Sequence, residues 1–209
     1  MSKIGAVILA AGMSKRMGQP KLLLPLKGKP LFRYAVDAAV GSELKPIVVV
    51  GGSHTEEFHK YTKDLPNVEV VATPFYQEGM ASSLKRGVRS IADRTEGMLV
   101  FLADQPYVPV HVIKELIRVY ELHRSMGVRI IRPQYAGELG HPILFDASLY
   151  KFFLEIDGDE GGRSIIKRFP KRMKVVSFSH SFWGRDVDTP EDYLKMNEFF
   201  SMIRTDECN

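Results

Sequence analysis

The sequence predicts an α/β fold of three layers, with a mostly parallel sheet between two layers of helices. Three observations carry this. Short apolar runs rich in β-branched residues alternate with segments of helical period along most of the chain. Glycine- and proline-rich loops separate them, and no internal repeat, low-complexity tract or linker interrupts the alternation. Repeated β-α-β units of this kind build parallel sheets covered on both faces.

The elements follow in order. Lys3–Leu9 is a buried strand, followed by a basic loop, and Leu31–Ser42 is a helix with Leu31, Ala35, Ala38 and Ala39 on one face. Pro46–Val50 is a second strand, ended by Gly51 and Gly52, and Thr55–Lys63 is a helix for which Ser53 or Thr55 is a candidate cap. Val68–Ala72 is a strand, Ala81–Asp93 a helix, Met98–Ala103 a buried strand, and Pro109–Met126 a long helix opened by proline. Val128–Arg132 is a fifth strand. Beyond it, Pro142–Phe145 and Lys174–Phe178 are extended, Gly161–Arg168 is helical, and Thr189–Ile203 is a C-terminal helix.

At 209 residues, with 44% hydrophobic and 26% charged residues, the chain is sized for a single domain over 1–209 and excludes wholesale disorder. The one cysteine, Cys208, excludes an intrachain disulfide and a cysteine metal cluster, and fits a reducing interior. No apolar run approaches the roughly 20 residues that span a bilayer, and the N-terminus goes straight into a strand. A cytoplasmic protein without membrane partners is expected.

Charge is unevenly placed. Residues 1–36 carry seven basic and no acidic residues, while the remainder carries 22 basic against 25 acidic. So local a basic field suits a small polyanion better than a nucleic acid, which would want a wider stripe.

Ligands of such sheets bind beyond the carboxyl ends of the strands, near the switch in strand order. The first loop there is Leu9-Ala10-Ala11-Gly12-Met13-Ser14-Lys15-Arg16, continuing to Lys21. Small residues let the backbone approach a ligand, its N–H groups can form an anion nest, and Arg16, Lys15 and Lys21 supply charge suited to a triphosphate. An ordinary basic surface loop would read the same. The P-loop and dinucleotide fingerprints are both missing.

Asp104, directly after a buried strand, is placed to hold Mg²⁺ with substrate phosphates, or simply to cap a turn. Asp186 and Asp188, two apart, point the same way in an extended segment. Thr189 or Asp188 is a candidate cap for the last helix, with Pro190, Glu191 and Asp192 suited to its first turn. Gly79, Ser82 and Ser83 open a helix whose amides and hydroxyls could read a base edge or merely cap. His141 lies in a Gly-His-Pro turn. The other histidines lack metal-ligand spacing on a helix.

Taken together these segments resemble a known family. The loop from Leu9 to Lys21 resembles the signature loop of nucleotidyltransferases with a Rossmann-like, GT-A-like fold. With Leu102–Pro106, Gly140–Pro142, Gly158–Arg163 and Asp186–Asp192, it is similar to the molybdenum cofactor cytidylyltransferase branch, over about residues 4 to 195. Leu9-Ala10-Ala11-Gly12 and Asp104-Gln105-Pro106 favour cytidine over guanosine within that resemblance. Gly162 stands where the family more often has alanine.

The resemblance implies transfer of CMP from CTP to molybdopterin, with release of pyrophosphate and a molybdoenzyme as recipient of the product. Asp104 and Asp188 would hold Mg²⁺. Arg16 and Lys21 would neutralise the β- and γ-phosphates. Leu9, Ala10, Ala11, Gly12, Ser14, Lys15, Gly79, Ser82 and Ser83 would contact the nucleotide, and His141 and Arg163 would face the acceptor. The attacking group would be a phosphate monoester, dianionic near neutral pH, so no side-chain base is required. Competing readings are a nucleotidyltransferase for another phosphorylated acceptor, such as a sugar 1-phosphate, and a non-catalytic chaperone for the cofactor. A dinucleotide-dependent oxidoreductase is disfavoured by the missing fingerprint.

Overall fold

A computed structural model describes residues 2–14 and 16–202; Lys15, Cys208 and the expected last helical residue, Ile203, lie outside the described residues. In chain order the elements are β1 (Ile4–Ala10), β2 (Pro25–Leu26), β3 (Lys29–Pro30), α1 (Leu31–Gly41), β4 (Ile47–Gly51), α2 (Thr55–Thr62), β5 (Val68–Ala72) and α3 (Met80–Ile91). Then come β6 (Gly97–Leu102), α4 (Val110–His123), β7 (Ile130–Tyr135), β8 (Glu138–Leu139), β9 (Ile143–Asp146), α5 (Tyr150–Phe153), α6 (Arg163–Arg168), β10 (Met173–Phe178) and α7 (Pro190–Met202). Each strand and helix expected above is present, Val68–Ala72 with both ends as expected and the others with ends shifted by at most three residues.

The main sheet runs in the order β10-β7-β9-β6-β1-β4-β5, with β8 paired on β7. Pairs β1–β4, β1–β6, β4–β5 and β7–β10 are parallel, and β9 runs against both of its neighbours. The chain moves outward from β1 through β4 to β5, then returns to place β6 on the other side of β1. That reversal is the switch point, and the loops after β1 and β6 flank it.

Alternation along the strands divides the core between the two faces. Ile4, Ala6, Ile8 and Ala10 of β1 face one cluster with α1 and α4. Val7 faces the other with α3, α5 and α6. Phe32 of α1 and Phe58 of α2 pack with ring centroids 4.5 Å apart. The buried stripe of α1 is Leu31, Phe32, Ala35, Val36 and Ala39, so Ala38, expected on that face, lies at its margin.

Other local expectations are corrected. Neither Ser53 nor Thr55 caps α2: His54 is the capping residue, without a side-chain bond. Thr55 is the first helical residue, and its Oγ1 donates to the Gly52 carbonyl at 2.8 Å, which the preceding double-glycine turn brings within reach. Strand β7 continues through Pro133 to Tyr135, past the expected end at Arg132. Its Pro133 carbonyl accepts from Gly140 N–H at 2.9 Å; the proline has no amide to return, and the Gly140 carbonyl accepts from Arg132 Nε at 3.3 Å instead. Helix α6 begins at Arg163 because Gly161 takes a left-handed φ of +55°. Among the described residues no helix is long and apolar enough to cross a membrane.

Candidate active site

The loop after β1 folds back on itself through Ser14. Its φ is +50°, its carbonyl accepts from Met17 N–H at 3.0 Å, and its Oγ accepts from Lys21 N–H at 3.2 Å. This staple fixes where Lys21 enters its short 3₁₀ turn. The Lys21 side chain then runs inward, leaving the residue only 8% exposed.

On the far side of the switch point, Ala103 N–H donates to the Leu9 carbonyl at 3.1 Å, extending the β6–β1 ladder by one residue. Asp104 follows at the sheet edge. Its carbonyl accepts from Val187 N–H at 3.0 Å, which draws the 186–188 segment alongside. Val187 is fully buried, so Asp186 and Asp188 turn to the opposite side, as their spacing predicts. Thr189 and Asp192 cap α7 reciprocally: Asp192 N–H donates to Thr189 Oγ1 at 3.1 Å, and Thr189 N–H to Asp192 Oδ2 at 2.9 Å. The same Asp192 oxygen accepts from Asp188 N–H at 3.2 Å, so the cap also fixes Asp188.

These elements meet at Lys21. Its Nζ donates to Asp104 Oδ2 and to Asp188 Oδ1, each at 2.7 Å, and Arg16 Nη2 donates to Asp188 Oδ2 at 2.8 Å. Burial opposes the charge on Lys21, but the two carboxylates outweigh it and hold the ammonium above its ordinary pKa. Burial likewise opposes the charge on Asp188, and Lys21 and Arg16 prevail, holding its carboxyl below the usual range. Among the described residues Asp186 makes no such ion pair, and Lys21 acts on it only weakly from a distance. Burial, then the charges of Asp104 and Asp188, push it up to about 6, despite a 2.6 Å bond from Gln105 Nε2.

The remaining expected residues divide by location. Ala11, Gly12 and Ser14 border a shallow recess with Ser53 and His54, and a Cβ on Gly12 would meet open space. Leu9 packs its side chain into the α3-side core and Ala10 is buried, so both shape the loop from beneath. Ser83 is buried in α3, while Ser82 donates to the Gly79 carbonyl at 3.0 Å and borders a groove of about 410 Å³ with Thr73, Lys85 and Asp157. That groove lies along α3 and does not include the carboxylates, whose common space Lys21 fills. His141 and Arg163 lie toward β9 and α6. Burial, then Arg132 and Arg163, push His141 down to about 4.

Four residues of this region escape the sequence reading. Asp159 Oδ1 accepts from Met80 N–H at 3.2 Å and the Gly158 carbonyl from Ala81 N–H at 2.9 Å, so first-turn amides of α3 expected to face a base are engaged by this loop. Tyr76 packs on Gly52 beside the Ala11 carbonyl. Gln105 holds Asp186 and donates to the Gly184 carbonyl at 3.1 Å. Arg132 joins His141 and Arg163. Gln105, adjoining Asp104, and Asp159, within the Gly158–Arg163 motif, carried a signal in the sequence; Tyr76 and Arg132 did not.

A basic, small-residue loop and a carboxylate pair on either side of a parallel-sheet switch point define a nucleotidyltransferase. Residues 6–174 match the MobA-like NTP transferase domain, and the chain belongs to that family. Named relatives divide in what they are called. The chain is 29% identical to purine catabolism protein PucB of Bacillus subtilis, over 90% of this chain and 92% of that protein. It is 28% identical to nicotine blue oxidoreductase of Paenarthrobacter nicotinovorans, over 92% and 96%. It is 26% identical to the molybdenum cofactor cytidylyltransferase of Escherichia coli, over 97% and 100%. The crystal structure of Rv0371c from Mycobacterium tuberculosis superposes with a TM-score of 0.78 at 28% identity, covering 94% of this chain and 98% of that one.

Proposed function

We propose that the chain transfers CMP from CTP to molybdopterin, releasing pyrophosphate, as a single nucleotidyltransferase domain of the cytoplasm whose product passes to a molybdoenzyme. The observation that carries the reading is the meeting of Lys21 with Asp104 and Asp188, both at 2.7 Å, beneath the small-residue loop. The single-domain reading is supported by α7, which the Tyr107 hydroxyl ties to the rest by donating to the Met196 carbonyl at 2.9 Å.

The donor set suits a divalent cation. Two carboxylate oxygens converge on one point, and one or two carboxylates plus substrate phosphates is the ordinary Mg²⁺ environment. Asp104 and Asp188 would hold Mg²⁺, which when bound neutralises phosphate charge developing toward pyrophosphate. The ammonium of Lys21 occupies the space between these carboxylates. In the complex it turns to the β- and γ-phosphates with Arg16, so the same cation offsets the repulsion between the carboxylates before the nucleotide arrives and serves the leaving group afterwards.

The small residues Ala11 and Gly12 leave room for the nucleotide, and Gly79 and Ser82 border it from α3. The attacking oxygen belongs to a phosphate monoester already largely dianionic near pH 7, so the protein's task is positioning and charge neutralisation. His141 and Arg163 face that acceptor.

A second reading keeps the transfer and changes the acceptor to another phosphorylated compound, such as a sugar 1-phosphate. The divided names of the relatives favour keeping it in view. A cofactor chaperone has no use for the carboxylate pair. The oxidoreductase name of one relative finds no dinucleotide fingerprint here.

The test is pyrophosphate release with Mg²⁺ and molybdopterin, comparing CTP, GTP, ATP and UTP. Release with CTP well above the others is expected. Nucleotide binding without release at acceptor saturation contradicts the molybdopterin assignment.

A further inference from the structure

Arg132 and Arg163 come from different elements to one place. Strand β9 runs antiparallel to β6 with Ile143 opposite Val100, and His141 lies in the turn between β8 and β9, two residues before Ile143. Strand β9 is also antiparallel to β7, with Leu144 opposite Ile131, which sets Arg132 beside Ile143. Ile130 faces the α3-side core and Ile131 the other, so alternation puts Arg132 on the α3 side, with Ile143 and Phe145. The start of α6 covers that same surface: a Cβ on Gly162 would lie 3.2 Å from the Phe145 ring, and Arg163 is the next residue. Arg132 Nε donates to the Gly140 carbonyl at 3.3 Å, immediately before His141.

The charges here have no internal counterpart. Among the described residues neither guanidinium makes an ion pair, unlike Arg16, which reaches Asp188. Burial and the Arg163 charge lower the pKa of Arg132, and the two arginines together help keep His141 neutral. Two guanidiniums that repel one another over a half-buried imidazole become favourable when a dianion sits between them. Guanidinium forks match phosphate oxygens in pairs, and a neutral imidazole can add one donor.

We infer that Arg132 and Arg163, with His141, form a subsite for a phosphate monoester dianion, the reacting group of the acceptor. The assignment to the acceptor rests on the proposed transferase function. The subsite itself rests on the register and on the uncompensated arginines. It makes Arg132 a binding residue, which selects phosphorylated acceptors over their alcohols.

The experiment uses the full chain saturated with a non-hydrolysable α,β-methylene analogue of CTP and Mg²⁺, titrated with phenyl phosphate. The wild type binds the monoester. Arg132→Gln and Arg163→Gln each weaken it by about tenfold or more, while affinity for the CTP analogue stays within about twofold. Arg132→Lys, which keeps charge and stem but loses the fork, falls between and guards against a misfolded glutamine variant. Unchanged phenyl phosphate affinity in both Arg132 variants overturns the subsite, as does absence of binding to the wild type. Phenyl phosphate binding that appears in the nucleotide-free chain and is lost once the CTP analogue is added would give the arginines to the nucleotide and overturn the acceptor assignment. Arginine-dependent binding in a chain that transfers no CMP to molybdopterin would leave the subsite standing and remove the proposed function alone.

Discussion

The ammonium of Lys21 donates to Oδ2 of Asp104 across 2.7 Å, joining the loop after β1 to the end of β6, 83 residues further along the chain. The bond crosses the switch point of the sheet, and Asp188 closes the arrangement from a third segment. One lysine therefore holds together the two halves of the site that a nucleotide would enter.

Lys21→Ala should reduce kcat/KM for CTP by roughly 30- to 1000-fold, the usual loss for one charged transition-state contact of about 2–4 kcal/mol. Without nucleotide it should bind Mn²⁺ more tightly than the wild type, because ammonium and cation compete for the same oxygens. Steady-state kinetics and calorimetric titration check the two effects. Near-normal turnover would remove Lys21 from the triphosphate.

Gly79 has a φ of +108°, and a Cβ there would meet the Gly158 carbonyl at 2.5 Å and Asp159 Oδ1 at 2.6 Å. Gly79→Ala should cost about 1–3 kcal/mol in denaturant unfolding through strain alone. Asp159→Ala, which frees the Met80 amide, should cost about 1 kcal/mol. Equal stability of Gly79→Ala and wild type would contradict the packing of this loop on α3.

The pH dependence of stability should carry the mark of His141. Burial, Arg132 and Arg163 hold its folded pKa at about 4, below the 6.5 of the unfolded chain. Its contribution is complete above pH 6.5 and is lost as pH falls toward 4, where the unfolded state alone gains the proton. His141→Gln should flatten the fall in Tm between those pH values. An unchanged slope by calorimetry would contradict the burial of the ring.

The Asp192 carboxylate accepts from both Thr189 and Asp188 amides. Asp192→Ala should cost about 0.5–2 kcal/mol of stability. It should also lower kcat at saturating CTP more than it raises KM, since Asp188 loses its fixed position. An equal loss in Thr189→Ala with normal kcat would confine the motif to capping.

The alternation of apolar runs made the sheet and its helices legible, because strands such as Ile47–Gly51 are buried on both faces and read as continuous hydrophobic stretches. Asp104, Lys21 and Arg16 stood out too, since charge beside a buried strand or a small-residue loop is a local signal, and Asp188 stood out by its two-residue spacing from Asp186. The short hairpin of Pro25–Leu26 with Lys29–Pro30 is only two residues on each side, below what periodicity can register. Asp159 and Arg132 were not legible for a different reason. Their partners, Met80 and the Gly140–His141 turn, are set by tertiary packing and β-register; Asp159 lies in the Gly158–Arg163 motif without anything there to mark its contact, and Arg132 sits in no motif.

The account turns on Asp104 as the residue that makes transfer metal-dependent. The direct measurement is initial-rate pyrophosphate release from CTP and molybdopterin across a Mg²⁺ titration, for the wild type and Asp104→Asn, with circular dichroism showing both folded. The wild type should show saturable dependence on Mg²⁺, and Asp104→Asn no Mg²⁺-stimulated release at any concentration. Equal stimulation in the two proteins would contradict the site.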